Sequence, residues 1–109
     1  MQVDKLIQDQ VFSPALIATE LRTTRRELAG TLGLAKDAFT HRSQVRLRQL
    51  VEILSRVEPR VHSPIAAYTW YRSARLPRFA GATPALLVRD GKSEHVHAYL
   101  DRVALGGYA

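Results

Sequence analysis

The side chains of this sequence that are able to do chemistry are four histidines and several serines, since cysteine is absent. His95 and His97 are two residues apart, so on a helix they point about 200° away from each other and cannot hold one metal ion together. The serines lack the turn and the partnered base that nucleophilic catalysis requires. We therefore expect no catalytic residue, no metal site, no cofactor and no enzymatic activity. The histidines are His41, His62, His95 and His97, and the serines are Ser43, Ser55, Ser63, Ser73 and Ser93.

Positive charge is concentrated in one segment. Between Arg22 and Arg48 seven cations face two acids, a net of +5 in a chain whose total is +6. Such a segment favours contact with a polyanion, an acidic partner or an anionic surface.

The same segment, from Arg25 to Gln44, fits a helix-turn-helix frame. Gly33 lies where the turn requires a positive φ, and Phe39 would anchor the second helix. Arg42 departs from the pattern, because an apolar residue usually closes the unit. Two short helices joined by a glycine also occur in proteins that bind no DNA, where the arginines form only a solvated face.

A recognition helix would span residues 36–44 in this frame. The side chains near base edges would be Lys36, Asp37, Thr40, His41 and Gln44, and those on phosphates would be Arg25, Arg26, Arg46 and Arg48.

The elements that must position these residues are helices. Ser13-Pro14, Ser63-Pro64 and Thr83-Pro84 each predict an N-cap followed by proline in the first helical position. Thr24 and Glu27 fit a capping box. No segment alternates apolar and polar residues as a strand would. The sequence therefore predicts an all-α fold of six to seven short helices.

The later helices follow from apolar spacing and helix stops. Residues 45–57 carry one apolar face, and Pro59 closes that helix. The helix after Ser63 includes Trp70 as a core aromatic, residues 76–81 form a loop, and Asp90-Gly91 ends the helix that begins after Thr83. A last helix runs from about Ser93 and stops near Gly106.

Three units are predicted: a helix-turn-helix-like module over residues 1–43, a connecting helix over 44–60, and a small helical domain over 61–109. No apolar run reaches the roughly 18–20 residues of a membrane span, and the start does not fit a signal peptide. We expect a cytoplasmic location.

The most specific pattern lies in the second half. It reads Trp70-Tyr71-Arg72-Ser73, Leu76-Pro77-x-Phe79-x-Gly81-x-Thr83-Pro84, Leu87-Val88-x-x-Gly91, then Val96, Leu100, Val103 and Gly106-Gly107-Tyr108-Ala109. This ordered string closely resembles the C-terminal toxin-binding domain of the Xre/MbcA/ParS antitoxin family. The resemblance covers residues 44–109, and the helix-turn-helix frame matches the N-terminal half usual in that family.

The resemblance implies an antitoxin of a type II toxin–antitoxin system. Its partner would be a RES-domain toxin that consumes NAD, inhibited sterically as the C-terminal tail enters or covers the NAD cleft. A homodimer or a hetero-oligomer with the toxin is expected, with operator DNA as a further partner through autorepression. The toxin-binding residues would be Leu76, Phe79, Arg102, Leu105, Gly106, Gly107, Tyr108 and Ala109. Alternatively, Tyr108 packs back on its own domain.

Two other functions stay open. In the first, the chain is a free-standing helix-turn-helix repressor whose C-terminal half serves dimerisation. In the second, weaker one, the basic face attaches to a membrane or to RNA; the scarcity of exposed aromatics near that face argues against RNA.

Overall fold

Six α-helices dominate the computed structural model, which describes residues 1–35 and 39–104. The helices are α1 (Pro14–Glu20), α2 (Arg25–Thr31), α3 (Gln44–Val61), α4 (Pro64–Ser73), α5 (Pro84–Arg89) and α6 (Ser93–Ala104). One antiparallel pair of two-residue strands, β1 (Ile7–Gln8) and β2 (Val11–Phe12), precedes them. The predicted all-α fold is confirmed.

Three of the helices begin where the sequence predicts. The Ser13, Ser63 and Thr83 hydroxyls accept the N–H groups of Leu16, Ala66 and Leu86 at 3.2, 2.9 and 3.2 Å, respectively. Each cap satisfies a backbone donor that has no partner inside its helix, and the following proline has no N–H to lose. The start of each helix is thus decided locally.

Helix α2 shows the predicted cap and turn with one difference. Thr24 Oγ1 accepts the Glu27 N–H at 3.1 Å, but the Glu27 carboxylate accepts the Thr23 hydroxyl instead of closing a capping box. After the helix, Gly33 has φ +75°, and the Leu34 N–H donates to the Ala29 carbonyl at 2.8 Å. This is the positive-φ glycine turn that the sequence predicts.

The β1–β2 hairpin corrects the prediction that strands are absent. Its two turn residues, Asp9 and Gln10, have φ of 53° and 68°, as a two-residue type I′ turn requires. Aspartate followed by glutamine is a weak signal for such a turn compared with Asn-Gly. The Gln44 side chain fixes the hairpin on α3, because its amide both accepts from the Phe12 N–H and donates to the Phe12 carbonyl, each at 2.8 Å.

Helix α3 is longer than predicted. Pro59 lies inside it, and the helix ends at Val61 with His62 in the left-handed region at φ 66°. The prediction that Pro59 closes the helix is wrong, since proline in the last turn removes only one backbone donor and the chain continues for two residues.

A single hydrophobic core runs from Leu6 to Leu100, with α3 packed against both α4 and α6. Its largest buried side chains are Tyr68 and Tyr71. Trp70, predicted as a core aromatic, is only half-buried, because the inward stripe of α4 falls on Ala67, Tyr68 and Tyr71. None of the helices in the described part of the chain has the length and apolar character needed to cross a bilayer.

Candidate partner-binding surface

The predicted recognition helix over residues 36–44 does not form in its described part. Thr40 is extended, with φ −118° and ψ 179°, and only a 3-10 turn over His41–Ser43 precedes α3. Ser43 explains this: its buried hydroxyl donates to the Thr40 carbonyl at 2.6 Å and accepts the Thr40 N–H at 3.0 Å. A side chain that bonds its neighbouring backbone in this way competes with helix formation.

Two of the predicted DNA contacts are instead used inside the fold. The Arg46 guanidinium donates to the Leu32 carbonyl at 2.7 Å, and both ends of the Gln44 amide are bound to Phe12. Both side chains thus have roles inside the fold, and the assignment of Gln44 to a base edge and of Arg46 to a phosphate stays a prediction. Arg25 lies with its Cζ 5.7 Å from the centroid of the Phe39 ring.

Five of the predicted DNA-contact residues are exposed: Arg25, Arg26, Thr40, His41 and Arg48. Lys36 and Asp37 lie outside the described residues. The basic segment thus presents charge to solvent, and residues 39–43 of it form no α-helix.

Leu76, predicted to contact a toxin, is buried with 2% of its surface exposed. Its N–H donates to the Ala82 carbonyl at 3.0 Å, and its carbonyl accepts the N–H groups of Phe79 and Gly81. This closed turn directs the leucine inward, so its assignment as a contact residue is wrong. Phe79 and Arg102 are both half-buried.

Phe79 belongs to a set of half-buried aromatic side chains on one flank of α6. Its ring stacks on His95 with centroids 5.0 Å apart, and Trp70 meets Tyr99 at 6.3 Å. His95, Tyr99 and Arg102 follow one another at i, i+4 and i+7, so they share a helix flank. We call the four rings the aromatic surface: Trp70, Phe79, His95 and Tyr99.

The opposite flank of α6 is held on α3. The Arg56 guanidinium donates to the Asp101 carboxylate at 2.7 Å and lies 3.1 Å from His97 Nδ1. Val96 and Leu100 are buried between these flanks. The aromatic surface is thus a half-buried flank beside the buried stripe of α6. The residues that the helix exposes include Glu94, Ala98 and Asp101.

The histidines of α6 face different neighbours, as predicted from their spacing: His95 meets Phe79 and His97 meets Arg56. Within residues 1–35 and 39–104 no group of histidine, aspartate and glutamate side chains is arranged to hold a metal ion. The sequence pattern indicated no ligand role for His95 and did not single out Tyr99. Their i, i+4 spacing beside the buried Val96 and Leu100 was the available signal.

Buried tyrosines lie on the other side of α4. Burial raises the pKa of Tyr68, against the lowering effects of the hydrogen bond between Tyr68 and Thr31 and of the charge of Arg72. Burial also raises the pKa of Tyr71, whose hydroxyl has no hydrogen-bond partner among the described residues. Both phenols therefore stay neutral over the physiological range and act as core residues.

Comparisons of the chain with protein-family models, curated proteins and solved structures gave no match. The predicted toxin contacts Leu105, Gly106, Gly107, Tyr108 and Ala109 lie outside the described residues. Among the described residues, the predicted toxin contacts that reach the surface are Phe79 and Arg102.

Proposed function

We propose that this chain is the antitoxin of a type II toxin–antitoxin pair and that it binds a RES-type, NAD-consuming toxin through the aromatic surface. The family resemblance supplies the class of partner. The observation that supports the surface is the alignment of Trp70, Phe79, His95 and Tyr99 along one flank of α6. The protein itself carries out no reaction in this proposal; it acts by occupying the toxin.

The composition of the surface suits a protein partner. Tryptophan, tyrosine and arginine dominate the residues that contribute most to binding at protein interfaces, since they bury large areas with few rotatable bonds. Trp70, Phe79 and Tyr99 each pack one side against the core while remaining partly exposed. Such rings are already ordered, so binding costs little conformational entropy.

Inhibition itself is assigned to residues 105–109, which follow directly after α6. Docking through the aromatic surface would deliver this segment to the NAD cleft, where it excludes substrate sterically. Arg102, near the end of the same flank, would contact acidic groups of the toxin or the site that receives NAD phosphates.

Docking is tested by co-expressing the chain with the product of the neighbouring gene and measuring co-purification. Trp70→Ala and Tyr99→Ala should each weaken the complex by about 2 kcal/mol or more, roughly 30-fold in Kd, as expected for residues at the centre of an interface. Ile65→Ala is the matched control, because Ile65 is an exposed apolar residue of α4 with 38% of its surface accessible. Equal weakening in the control, or an unchanged complex in both variants, would contradict the proposed surface.

Inhibition is tested separately by deleting residues 107–109 and measuring both co-purification and growth rescue. The complex should persist while rescue disappears, because the docking residues remain in place. Full rescue by the truncated chain would assign inhibition to the helical surface instead of the tail.

The second candidate is a DNA-binding repressor, favoured by the exposed guanidinium groups of Arg26 and Arg48. Removing one arginine that binds a phosphate should reduce the slope of log K against log salt by roughly one. Arg26→Gln and Arg48→Gln therefore test this candidate by salt titration. A DNA affinity that neither substitution changes would show that these two arginines do not bind phosphates.

A further inference from the structure

A cavity of about 390 Å³ lies where the end of α2 meets α4 and α5. Its walls include two arginines and two threonines, Arg72, Arg89, Thr31 and Thr83, and also Gly30, which has no side chain. No acidic side chain lines it in the described part of the chain. Neither the rings of the aromatic surface nor the exposed Arg26 and Arg48 line this cavity.

Packing restrains both arginine side chains. The Arg72 guanidinium carbon lies 4.5 Å from the centroid of the Tyr68 ring, an arrangement that favours the cation over the ring face. Tyr68 is itself held by Thr31, whose hydroxyl oxygen is 2.8 Å from the phenolic oxygen. The buried Tyr68 ring thus positions the Arg72 guanidinium group at the cavity.

The backbone of Gly33 positions the Arg89 side chain. A Cβ atom on Gly33 would lie 2.8 Å from Arg89 Nε, so the arginine lies directly against the glycine backbone. A side chain at position 33 would displace it. The glycine therefore serves the turn after α2 and also makes room for the second guanidinium group.

The two charges at the cavity are not neutralised within the fold. Neither guanidinium lies within 4.0 Å of a carboxylate in the described part of the chain. Glu27, whose charge acts on Tyr68, accepts the Thr23 hydroxyl at 2.7 Å and does not line the cavity. Two cations that share a cavity repel each other, and an anion between them would reverse the sign of that interaction.

We propose that this cavity binds a phosphate group, held by the guanidinium groups of Arg72 and Arg89. Arginine offers several N–H donors in a planar fork that matches the oxygens of a phosphate. The Thr83 hydroxyl adds a donor, because its oxygen accepts the Leu86 N–H at 3.2 Å and its own hydrogen is left for a ligand. The ligand class is a free phosphate ion or the phosphate of a small nucleotide.

The test is calorimetric titration of the full chain with inorganic phosphate, against chloride at equal ionic strength. Arg72→Gln and Arg89→Gln should each weaken binding by roughly tenfold or more, because each removes a charge-assisted hydrogen bond to the anion. Arg60→Gln is the matched control, since it removes the same charge from an exposed site on α3 that does not line the cavity. Equal weakening in the control, or the absence of saturable binding to the unmodified chain, would overturn the proposal.

A second variant keeps the proposal testable if an arginine variant folds poorly. Beyond its chain neighbours and its own helix backbone, a Cβ atom on Gly30 would meet no described atom within 4 Å. Because Gly30 lines the cavity, Gly30→Glu brings a carboxylate to it from within α2. This variant should abolish phosphate binding and raise Tm in chloride, because the carboxylate would take the place of the ligand. Phosphate binding that survives in Gly30→Glu contradicts the site.

Titration with ADP distinguishes the source of the phosphate group. Binding that is about tenfold tighter than for inorganic phosphate, with the same weakening in Arg72→Gln and Arg89→Gln, would assign the site to a nucleotide. Equal affinities would assign it to the free ion. ADP binding that is insensitive to both substitutions would place the nucleotide elsewhere and count against the cavity.

Discussion

The basic segment, residues 22–48, and the aromatic flank of α6 differ in how the fold uses their side chains. In the basic segment, Arg46 and Gln44 complete hydrogen bonds to the backbone of Leu32 and Phe12. On α6, Tyr99 packs against Trp70 and still exposes part of its ring. A polar residue type thus predicts a surface role only when the backbone leaves it unused, whereas an aromatic ring can stabilise the core and offer a contact area together.

The largest expected effect is a difference in the free energy of unfolding between substitutions on the two sides of α4. Tyr71→Ala should lower the free energy of unfolding by about 3–5 kcal/mol, because it leaves a cavity in place of a fully buried ring. Trp70→Ala should cost less, since the indole is half-buried. Urea unfolding of both variants measures the difference. A larger destabilisation by Trp70→Ala would mean that the indole belongs to the core and would weaken its role as a contact residue.

A smaller effect tests whether Gln44 serves the fold. Gln44→Ala should lower the free energy of unfolding by about 1–3 kcal/mol, because it removes two hydrogen bonds to the Phe12 backbone. Gln49→Ala is a suitable control, since the one hydrogen bond of the Gln49 amide among the described residues is a long one, 3.5 Å to Ser93 Oγ. If Gln44→Ala leaves stability unchanged and abolishes DNA binding, then Gln44 contacts DNA. The difference between the basic segment and the aromatic flank of α6 would then not hold.

Local sequence decides some of these features and not others. The caps at Ser13 and Thr83 were predictable because donor and acceptor are three residues apart. The role of Gln44 was not, because its partner Phe12 is 32 residues away in a hairpin with a weak turn signal. The same holds for Leu76, whose inward orientation depends on the turn that pairs it with Ala82.

Of the four rings of the aromatic surface, only Phe79 was predicted as a contact residue. Helix α4 is apolar on several sides, with alanines and aromatics in succession, so its sequence does not decide which ring faces inward. Contacts with α6 decide it: Trp70 meets Tyr99, and the buried stripe falls on Tyr68 and Tyr71. Such a choice depends on packing between helices and cannot be read from one helix alone.

A change of no more than about 1 kcal/mol is expected at Gly30, on the last turn of α2. Gly30→Ala should raise the free energy of unfolding by about 0.5–1 kcal/mol, because alanine restricts the unfolded chain and its Cβ would meet no described atom within 4 Å beyond its chain neighbours and its own helix backbone. Gly33→Ala is the opposite control and should lower the free energy of unfolding. Gly33 has φ +75°, and a Cβ atom there would lie 2.8 Å from Arg89 Nε. Thermal unfolding compares the two. Stabilisation by both changes would contradict the strained turn after α2.

The smallest effect at neutral pH, and one that grows with pH, is expected for Tyr71→Phe. The Tyr71 hydroxyl has no hydrogen-bond partner among the described residues, so its removal should change the free energy of unfolding by no more than about 0.5 kcal/mol at pH 7. Because burial raises the pKa of Tyr71 in the folded state, its contribution is fully present below the unfolded pKa of about 10. Above that pH the unfolded chain releases the proton while the folded chain retains it, so stability falls as pH rises toward the folded pKa. The measurement is urea unfolding at neutral pH and above about pH 10. The loss of stability at alkaline pH should be smaller in Tyr71→Phe than in the unmodified protein. It should be smaller still in the double variant Tyr68→Phe, Tyr71→Phe, because the pKa of Tyr68 is also raised. An alkaline destabilisation that is identical in all three proteins would mean that neither phenol is buried in the core, and the distinction between the inner and outer rings of α4 would not hold.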